Sequence, residues 1–134
     1  MDNCLFCKII RGSIPSYKIY ENEDVYAFLD IAMDVYGHTL VIPKNHSNNI
    51  FDVNDFDLEK VTKALNLISN HYKNLGFEGI NIMNANGTQA GQSIDHLHFH
   101  LIPRNTNDNI DAWPFKEKYD FDLEEMYNKL KIDS

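Results

Sequence analysis

The stretch that decides the fold is His96-Leu97-His98-Phe99-His100-Leu101-Ile102. Three histidines, hereafter the triad, alternate with large apolar residues at a spacing of two, which is the side-chain period of a β-strand. We therefore predict a strand over Asp95–Pro103 that buries Leu97, Phe99 and Leu101. The triad then lines the opposite face, and an ordinary half-buried strand does not explain three imidazoles in a row.

Two kinds of chemistry suit such a row of imidazoles. They can converge on one catalytic metal ion and leave a position open for water. Alternatively, one imidazole attacks a phosphorus atom while its neighbours hold the phosphate and protonate the leaving group. The loop before the strand, Asn84–Ser93, favours the second mechanism. Its glycines, including Gly91, permit tight turns, and its backbone amides, with Gln92 and Ser93, can donate to phosphate oxygens.

The spacing of apolar residues predicts the elements outside this stretch. A short helix over Leu5–Ile10 ends at Gly12, and a long helix starts at a cap on Asn54 or Asp55 and ends at Gly76. Further strands are predicted over Tyr17–Glu21, Val25–Leu29, His38–Ile42 and Ile80–Met83, and a terminal helix over Phe121–Ile132. Closely spaced strands beside one long helix indicate an α+β domain with a mainly antiparallel sheet of about five strands.

Length and charge narrow the class of protein. The chain has 134 residues, which suits a single domain over 1–134. A net charge of −8 repels the backbone of DNA or RNA, so we expect no polynucleotide partner. The first residues carry no basic and apolar leader, and no apolar run approaches membrane-spanning length. We therefore expect a cytoplasmic protein without a membrane partner.

Both cysteines lie in the segment Cys4-Leu5-Phe6-Cys7. A CxxC pair is either a redox-active pair or half of a metal site. A thioredoxin-like pair usually follows a buried strand, and only three residues precede this one. The metal alternative needs two well-placed histidines, and the chain has six histidines in total. The cysteine spacing alone leaves both alternatives open.

Five blocks in the same order as in a known family give a resemblance that covers Cys4 to about Arg104. They are Cys4-Leu5-Phe6-Cys7-Lys8-Ile9-Ile10, Phe28-Leu29-Asp30-Ile31, Gly37-His38-Thr39-Leu40-Val41-Ile42-Pro43-Lys44-Asn45-His46, Ala90-Gly91-Gln92-Ser93 and the triad. The sequence resembles the histidine triad (HIT) family, in the zinc-bearing branch of Hint-like nucleoside phosphoramidases. The resemblance implies an HIT-like fold, in which two domains join as a homodimer.

The resemblance also implies catalytic roles. His98 matches the nucleophile, which attacks the α-phosphorus of a nucleotide and forms a nucleotidyl-histidine intermediate. A backbone carbonyl bound to its other ring nitrogen would set the required tautomer. His100 matches the residue that contacts the phosphate, and His38 matches a fourth, supporting histidine. Gln92 and Ser93, beside Gly91, match donors to the phosphate and the leaving group.

The nucleoside and metal sites follow from the same resemblance. Asp30 matches the carboxylate that holds both ribose hydroxyls. An apolar slot for a purine corresponds to Leu5, Phe6, Ile9, Phe28, Ile31 and Leu40. A closed, structural Zn²⁺ site corresponds to Cys4, Cys7, His46 and His96, and no organic cofactor is expected. His71 is expected to be an ordinary residue of the long helix.

One position departs from the family pattern. Many relatives carry Asn or Gln six positions before the glycine of Gly-Gln-Ser, where the amide reaches the α-phosphate, and this chain has Ala85 there. The predicted function is cleavage of AMP or GMP conjugates of the phosphoramidate type. The alternatives are a dinucleoside polyphosphate hydrolase, a non-catalytic nucleotide-binding module and, less favoured, a metallohydrolase that uses the whole triad.

Overall fold

Five strands form one antiparallel sheet, as the sequence predicts. The computed structural model describes residues 3–112 and 117–133 of the chain. The strands are β1 (Lys18–Glu21), β2 (Val25–Leu29), β3 (Thr39–Pro43), β4 (Gly79–Met83) and β5 (Phe99–Arg104). They lie in the order β1-β2-β3-β5-β4, so β5 pairs on both sides while β1 and β4 form the edges.

The helices begin and end where local sequence signals place them. They are α1 (Leu5–Ile10), α2 (Asp55–Asn74) and α3 (Leu123–Leu130). The side chain of Asn54 accepts a hydrogen bond from the backbone N–H of Asp57 and thereby caps α2. The terminal helix is shorter than predicted, because its side-chain cap is Asp122 and its last residue is Leu130. Within the described ranges, no helix is long and apolar enough to cross a bilayer.

Alternating side chains divide the core into two layers. On one face of the sheet, β2, β3 and β5 pack against α2 through Val25, Ala27, Val41, Leu101, Val61, Leu65 and Ile68. On the other face, β2 and β3 pack against α1 through Tyr26, Phe28, Leu40, Ile42, Phe6 and Ile9. His100 belongs to this second face, since it alternates with the core residue Leu101 along β5.

The predicted strand over Asp95–Pro103 is wrong in its first part, because β5 begins only at Phe99. The preceding backbone bonds to loops instead of a strand. The N–H of Leu97 donates to the carbonyl of Ser47 at 2.8 Å, and the side-chain amide of Asn84 donates to the carbonyl of His98 at 2.8 Å. Only His100 of the triad therefore lies in a regular strand.

A tight turn before β3 requires glycine at position 37. Gly37 has a φ of 75°, which L side chains rarely adopt. A Cβ atom there would also lie 2.6 Å from Cγ of Pro103 on β5. The close approach sets His38 beside β5, next to His100.

Candidate active site

A main groove of about 370 Å³ lies on the α1 face of the sheet. Its volume is in the range of small-molecule sites. The groove brings together most of the residues singled out from the sequence, namely Leu5, Phe6, Ile9, Phe28, Asp30, Ile31, Leu40, Ser93, His98 and His100. The sequence interpretation did not assign six further lining residues to the site, namely Ile14, Pro15, Ser16, Leu29, Ala32 and Ile94. All but Leu29, the last residue of β2, lie outside the strands and helices, where no periodic pattern marks them.

The tautomer of His98 is set by the backbone. Its Nδ1 lies 2.7 Å from the carbonyl oxygen of His96. A carbonyl can only accept, so Nδ1 carries the proton and donates it there, which leaves Nε2 with a lone pair. The ring of Phe6 packs edge-on against His98, with 5.2 Å between ring centroids. His98 is 4% exposed, so its ring is held by packing as well as by hydrogen bonding.

A chain of hydrogen bonds runs from a carboxylate to the groove. Asp34 Oδ1 lies 2.8 Å from His38 Nδ1, and His38 Nε2 lies 2.8 Å from His100 Nδ1. Asp30 Oδ2 is farther from His38 Nδ1, at 3.7 Å, while its other oxygen accepts from the N–H of Ala32. The sequence interpretation missed Asp34, which lies in the loop after β2 with no pattern to single it out.

Two pKa shifts follow from this arrangement. Burial, then the neighbouring His98 and His38, lowers the pKa of His100 from 6.5 to about 4. The hydrogen bond from His38 lowers the pKa of Asp34, although burial opposes this. His100 is therefore neutral at pH 7, and Asp34 is a carboxylate.

Gln92 occupies a supporting position, which differs from the donor role predicted for it. Its side-chain amide donates to the carbonyls of Asn48 and Ile94, at 2.6 and 2.9 Å. Its backbone N–H donates to the carbonyl of Gly87, whose own N–H donates to the Gln92 side chain. Gly91 adopts a left-handed conformation at the end of a short 3₁₀ turn, Thr88–Ala90. Gln92 thus fixes the loop that carries Ser93.

The asparagines beside Ala85 are both bonded within the protein. Asn84 donates to the carbonyl of His98, and Asn86 accepts from the N–H of Ile50 at 2.8 Å. Asn86 also donates to Asn84. Neither lines the main groove, so neither replaces the amide that relatives carry at position 85.

Cys4, Cys7, His46 and His96, here called the thiol–histidine cluster, have ligand atoms within 4.8 Å of one another. Nδ1 of His96 lies 3.3 Å from Sγ of Cys4 and 3.6 Å from Sγ of Cys7, and Nδ1 of His46 lies 3.4 Å from Sγ of Cys7. Each Nε2 faces an oxygen, the carbonyl of Pro43 for His96 and the side chain of Asn48 for His46. Two thiols and two correctly turned imidazoles fit the donor set of a structural zinc ion.

Ionisation of this cluster also fits a metal-binding role. Burial lowers the pKa of His96 to about 4, so its imidazole is neutral at pH 7, as a ligand must be. Burial, together with Cys4, raises the pKa of the Cys7 thiol. A bound cation would reverse that shift by favouring the thiolate.

The triad does not converge on one point. His96 belongs to the thiol–histidine cluster, whereas His100 belongs to a separate group with Asp30 and His38. A catalytic metal held by all three histidines therefore does not match this geometry. His71 is exposed on α2, as expected.

The family model of the HIT domain matches residues 11–107 of this sequence. That range holds Asp30, His38, the loop before the triad and the triad itself. The chain belongs to the HIT family. Solved structures of this family confirm the fold class, and relatives that are hydrolases of the family confirm the expectation of an enzyme, a hydrolase of the histidine triad type.

Relatives and solved structures agree with this membership. A HIT-like protein of Methanocaldococcus jannaschii is 44% identical over 96% of this chain and 98% of its own length. The adenosine 5'-monophosphoramidase HNT1 of Saccharomyces cerevisiae is 41% identical over 95% of this chain and 80% of its own. The structure of a HIT family member from Bacillus subtilis superposes with a TM-score of 0.84 at 39% identity, covering 98% of this chain and 99% of that one.

Proposed function

We propose that the protein hydrolyses purine nucleoside 5′-phosphoramidates, or related AMP and GMP conjugates, at the α-phosphate. The observation that carries the proposal is the bond from His98 Nδ1–H to the carbonyl of His96, which leaves a nucleophilic Nε2 on a residue that lines the main groove. The yeast relative, named as an adenosine 5'-monophosphoramidase, supports the same reaction class.

The reaction proceeds in two displacements. Nε2 of His98 attacks the α-phosphorus, the bond from phosphorus to the leaving nitrogen breaks, and the departing amine takes up a proton from solvent that Ser93 relays. Water then attacks the nucleotidyl-histidine and loses a proton to solvent, the bond from phosphorus to Nε2 breaks, and the nucleoside monophosphate leaves with the lone pair of His98 restored. His100 contacts the phosphate and His38 supports His100. Stabilising the charge on the phosphoryl oxygens is the main demand on such a site.

The nucleoside occupies the rest of the main groove. Asp30 lines it and binds the two ribose hydroxyls as a charged acceptor. The purine lies between apolar side chains, of which Phe6 is 5% exposed and Phe28 is 4% exposed. Leu5, Ile9, Ile31 and Leu40 complete this slot.

The choice of leaving group follows from a side groove of about 500 Å³ that shares Leu5, Ser93 and Ile94 with the main groove. Its remaining lining residues are Asn3, Cys4, His46, Asn48 and Asp95. Among these described residues there is no lysine or arginine to hold a polyphosphate, and Asp95 favours a cationic or amine group. Hydrolysis of dinucleoside polyphosphates is the second candidate, and a nucleotide-binding module without catalysis is the third.

Steady-state kinetics separate these candidates. We expect kcat/KM for adenosine or guanosine phosphoramidate to exceed that for the matching dinucleoside polyphosphate, with His98→Ala as the inactive control. A ratio below one would make the second candidate the correct function. Tight binding of AMP or GMP with turnover of neither substrate would favour the third.

A structural zinc ion is part of the proposal. The thiol–histidine cluster would hold Zn²⁺ as Cys₂His₂, which would tie α1 to the segments that carry His46 and His96. Such an ion would cross-link these segments and would take no part in the reaction. A reducing compartment keeps such thiols available for the metal, and we accordingly propose a cytoplasmic location.

We also propose a two-fold dimer. The edge strand β4 exposes Ile82 and Met83 at 49% and 46%, and α2 exposes Leu67 at 47%. Pairing β4 with a second copy would satisfy the free strand edge and cover this apolar surface. Light scattering at micromolar concentration should give twice the mass of 15.6 kDa. A monomer would refute the dimer.

A further inference from the structure

We propose that Asp34 is a positioning residue that keeps a second proton on His38, so that neutral His100 offers an N–H to the phosphate. The protonation of His38 is a property of the protein alone. Only its use toward a phosphate rests on the proposed function. Asp34 was not among the residues singled out from the sequence, and its contact with His38 is the starting observation.

The hydrogen bonds constrain where protons can lie. Nδ1 of His38 faces the carboxylate of Asp34 at 2.8 Å, and a carboxylate only accepts, so this nitrogen is protonated. The 2.8 Å contact from His38 Nε2 to His100 Nδ1 holds one further proton. The location of that proton decides what the remaining nitrogen of His100 offers to the groove.

The two possible arrangements differ in their consequences. If His38 is neutral, His100 Nδ1 donates to it, and a neutral His100 then presents only a lone pair to the phosphate oxygens. If His38 carries both protons, it donates to His100 Nδ1, and a neutral His100 presents Nε2–H instead. The second arrangement suits an anionic ligand without charging His100.

Two neighbouring carboxylates favour the charge on His38, whose side chain is buried. His100 is held neutral at pH 7 by its burial. Asp30 and Asp34 face His38 from the loop after β2, whereas the group facing it from β5 is the imidazole of His100. His98, the other titratable neighbour, contacts His100 and binds the carbonyl of His96.

The two carboxylates have different tasks. Asp34 makes the shorter contact with His38, at 2.8 Å against 3.7 Å for Asp30. Asp34 does not line the main groove, whereas Asp30 does and is assigned to the ribose. The carboxylate of Asp34 is thus not shared with the ribose, and besides His38 it accepts a hydrogen bond from the N–H of Val35 at 2.9 Å.

Nitrogen-15 NMR of the histidine-labelled protein tests the proton directly. At pH 7 we expect one imidazole with both nitrogens protonated, assigned to His38 by its loss in His38→Gln. In Asp34→Asn, which keeps an acceptor but removes the charge, the pH at which this imidazole loses its second proton should fall by about one unit. Asp34→Glu should restore much of the shift.

A matched control and the opposing result complete this test. Glu59→Gln removes one negative charge from an exposed position on α2 and should leave the His38 titration unchanged. A neutral His38 at pH 7 in the wild type would overturn the proposal. An unchanged titration in Asp34→Asn would overturn it as well.

The pH profile gives a second readout through activity. The alkaline limb of kcat/KM should move to lower pH in Asp34→Asn, with a loss of about three- to tenfold at pH 8. A purely structural role would lower activity equally at every pH, and that result would count against the proposal. If the wild type turns over no phosphoramidate, the proposed function fails, and the NMR titration still decides the protonation of His38.

Discussion

Two groups of histidines both draw members from the triad, yet the ring nitrogen that is bonded within the protein differs between them. In the thiol–histidine cluster, Nδ1 of His46 and His96 faces the cysteine sulfurs, and each Nε2 binds a protein oxygen. In the proposed catalytic cluster, defined as His38, His98 and His100, Nδ1 of His98 and His100 is bonded within the protein. Their Nε2 atoms are left for the main groove.

This difference shows how histidines no more than four positions apart in the chain can suit two different roles. His96 is fully buried, and both of its nitrogens have protein partners, which suits the structural role proposed for it. His98 and His100 keep one nitrogen each for a ligand. The partner of the other nitrogen, a backbone carbonyl or a second imidazole, sets the tautomer and with it the chemistry.

The largest effect is expected from the catalytic cluster. His98→Ala should lower kcat by about four orders of magnitude, because a covalent nucleophile has no substitute. Binding of AMP and the zinc content should be unchanged. His71→Ala, at an exposed position of α2, is the matched control. Retention of a tenth of the wild-type rate would exclude the covalent mechanism.

The thiol–histidine cluster should respond in the opposite way. Cys4→Ser or Cys7→Ser should release about one zinc ion per chain and lower Tm by about 10 °C or more, because metal binding contributes to folding. Folded variant protein should still catalyse the reaction. Metal analysis and thermal unfolding check both points. Instant loss of activity on adding a chelator, restored by zinc, would instead indicate a catalytic metal.

The nucleoside end of the main groove tests whether ligand recognition is separate from both clusters. A nucleotide that lacks either ribose hydroxyl should bind about 1–3 kcal/mol more weakly, since the carboxylate of Asp30 loses a partner. Asp30→Asn should reduce this difference, because an amide carries no charge. Calorimetric titration with AMP and its deoxy analogues measures it. Equal affinities in the wild type would place the ribose elsewhere.

Acid unfolding measures how strongly burial disfavours the protonated form of a histidine. The pKa of His100 is about 4 in the folded protein and 6.5 without burial. As pH falls, His100 therefore takes up a proton in the unfolded chain before it does so in the folded protein. The free energy of unfolding is unaffected by this group above pH 6.5 and falls between pH 6.5 and pH 4. Between pH 7 and 4.5 the wild type should lose about 2 kcal/mol more than His100→Gln in urea unfolding. Parallel losses would contradict the shift.

The smallest effect is expected at position 85. Asn84 and Asn86 are committed to bonds within the protein, so neither supplies the amide that the family resemblance implies for the proposed phosphate site. Ala85→Asn should raise kcat/KM for a phosphoramidate by about threefold, equivalent to roughly half of a net hydrogen bond. Ala90→Asn, at the end of the 3₁₀ turn, is the control. A decrease in kcat/KM would show that the loop already binds the phosphate without an amide side chain at position 85.

Local patterns predicted the elements well where one physical signal dominates. The range Val25–Leu29 and the cap at Asn54 agree with the structure, because alternation and capping act within a few residues. The predicted strand over Asp95–Pro103 starts too early, because β5 begins at Phe99. The alternation continues through Leu97, but its backbone bonds to Ser47, a partner 50 positions away that no local pattern reveals.

The sequence by itself determined the residue types for the chemistry, and the ordered blocks around them indicated the HIT family. The tertiary structure decided which nitrogen of each histidine is free, since that depends on partners distant in the chain. The carbonyls of Pro43 and Ser47 accept hydrogen bonds from the segment that carries His96, and the close approach of Gly37 to β5 lets His38 contact His100. It also added Asp34, whose role depends on a 2.8 Å contact rather than on any sequence pattern.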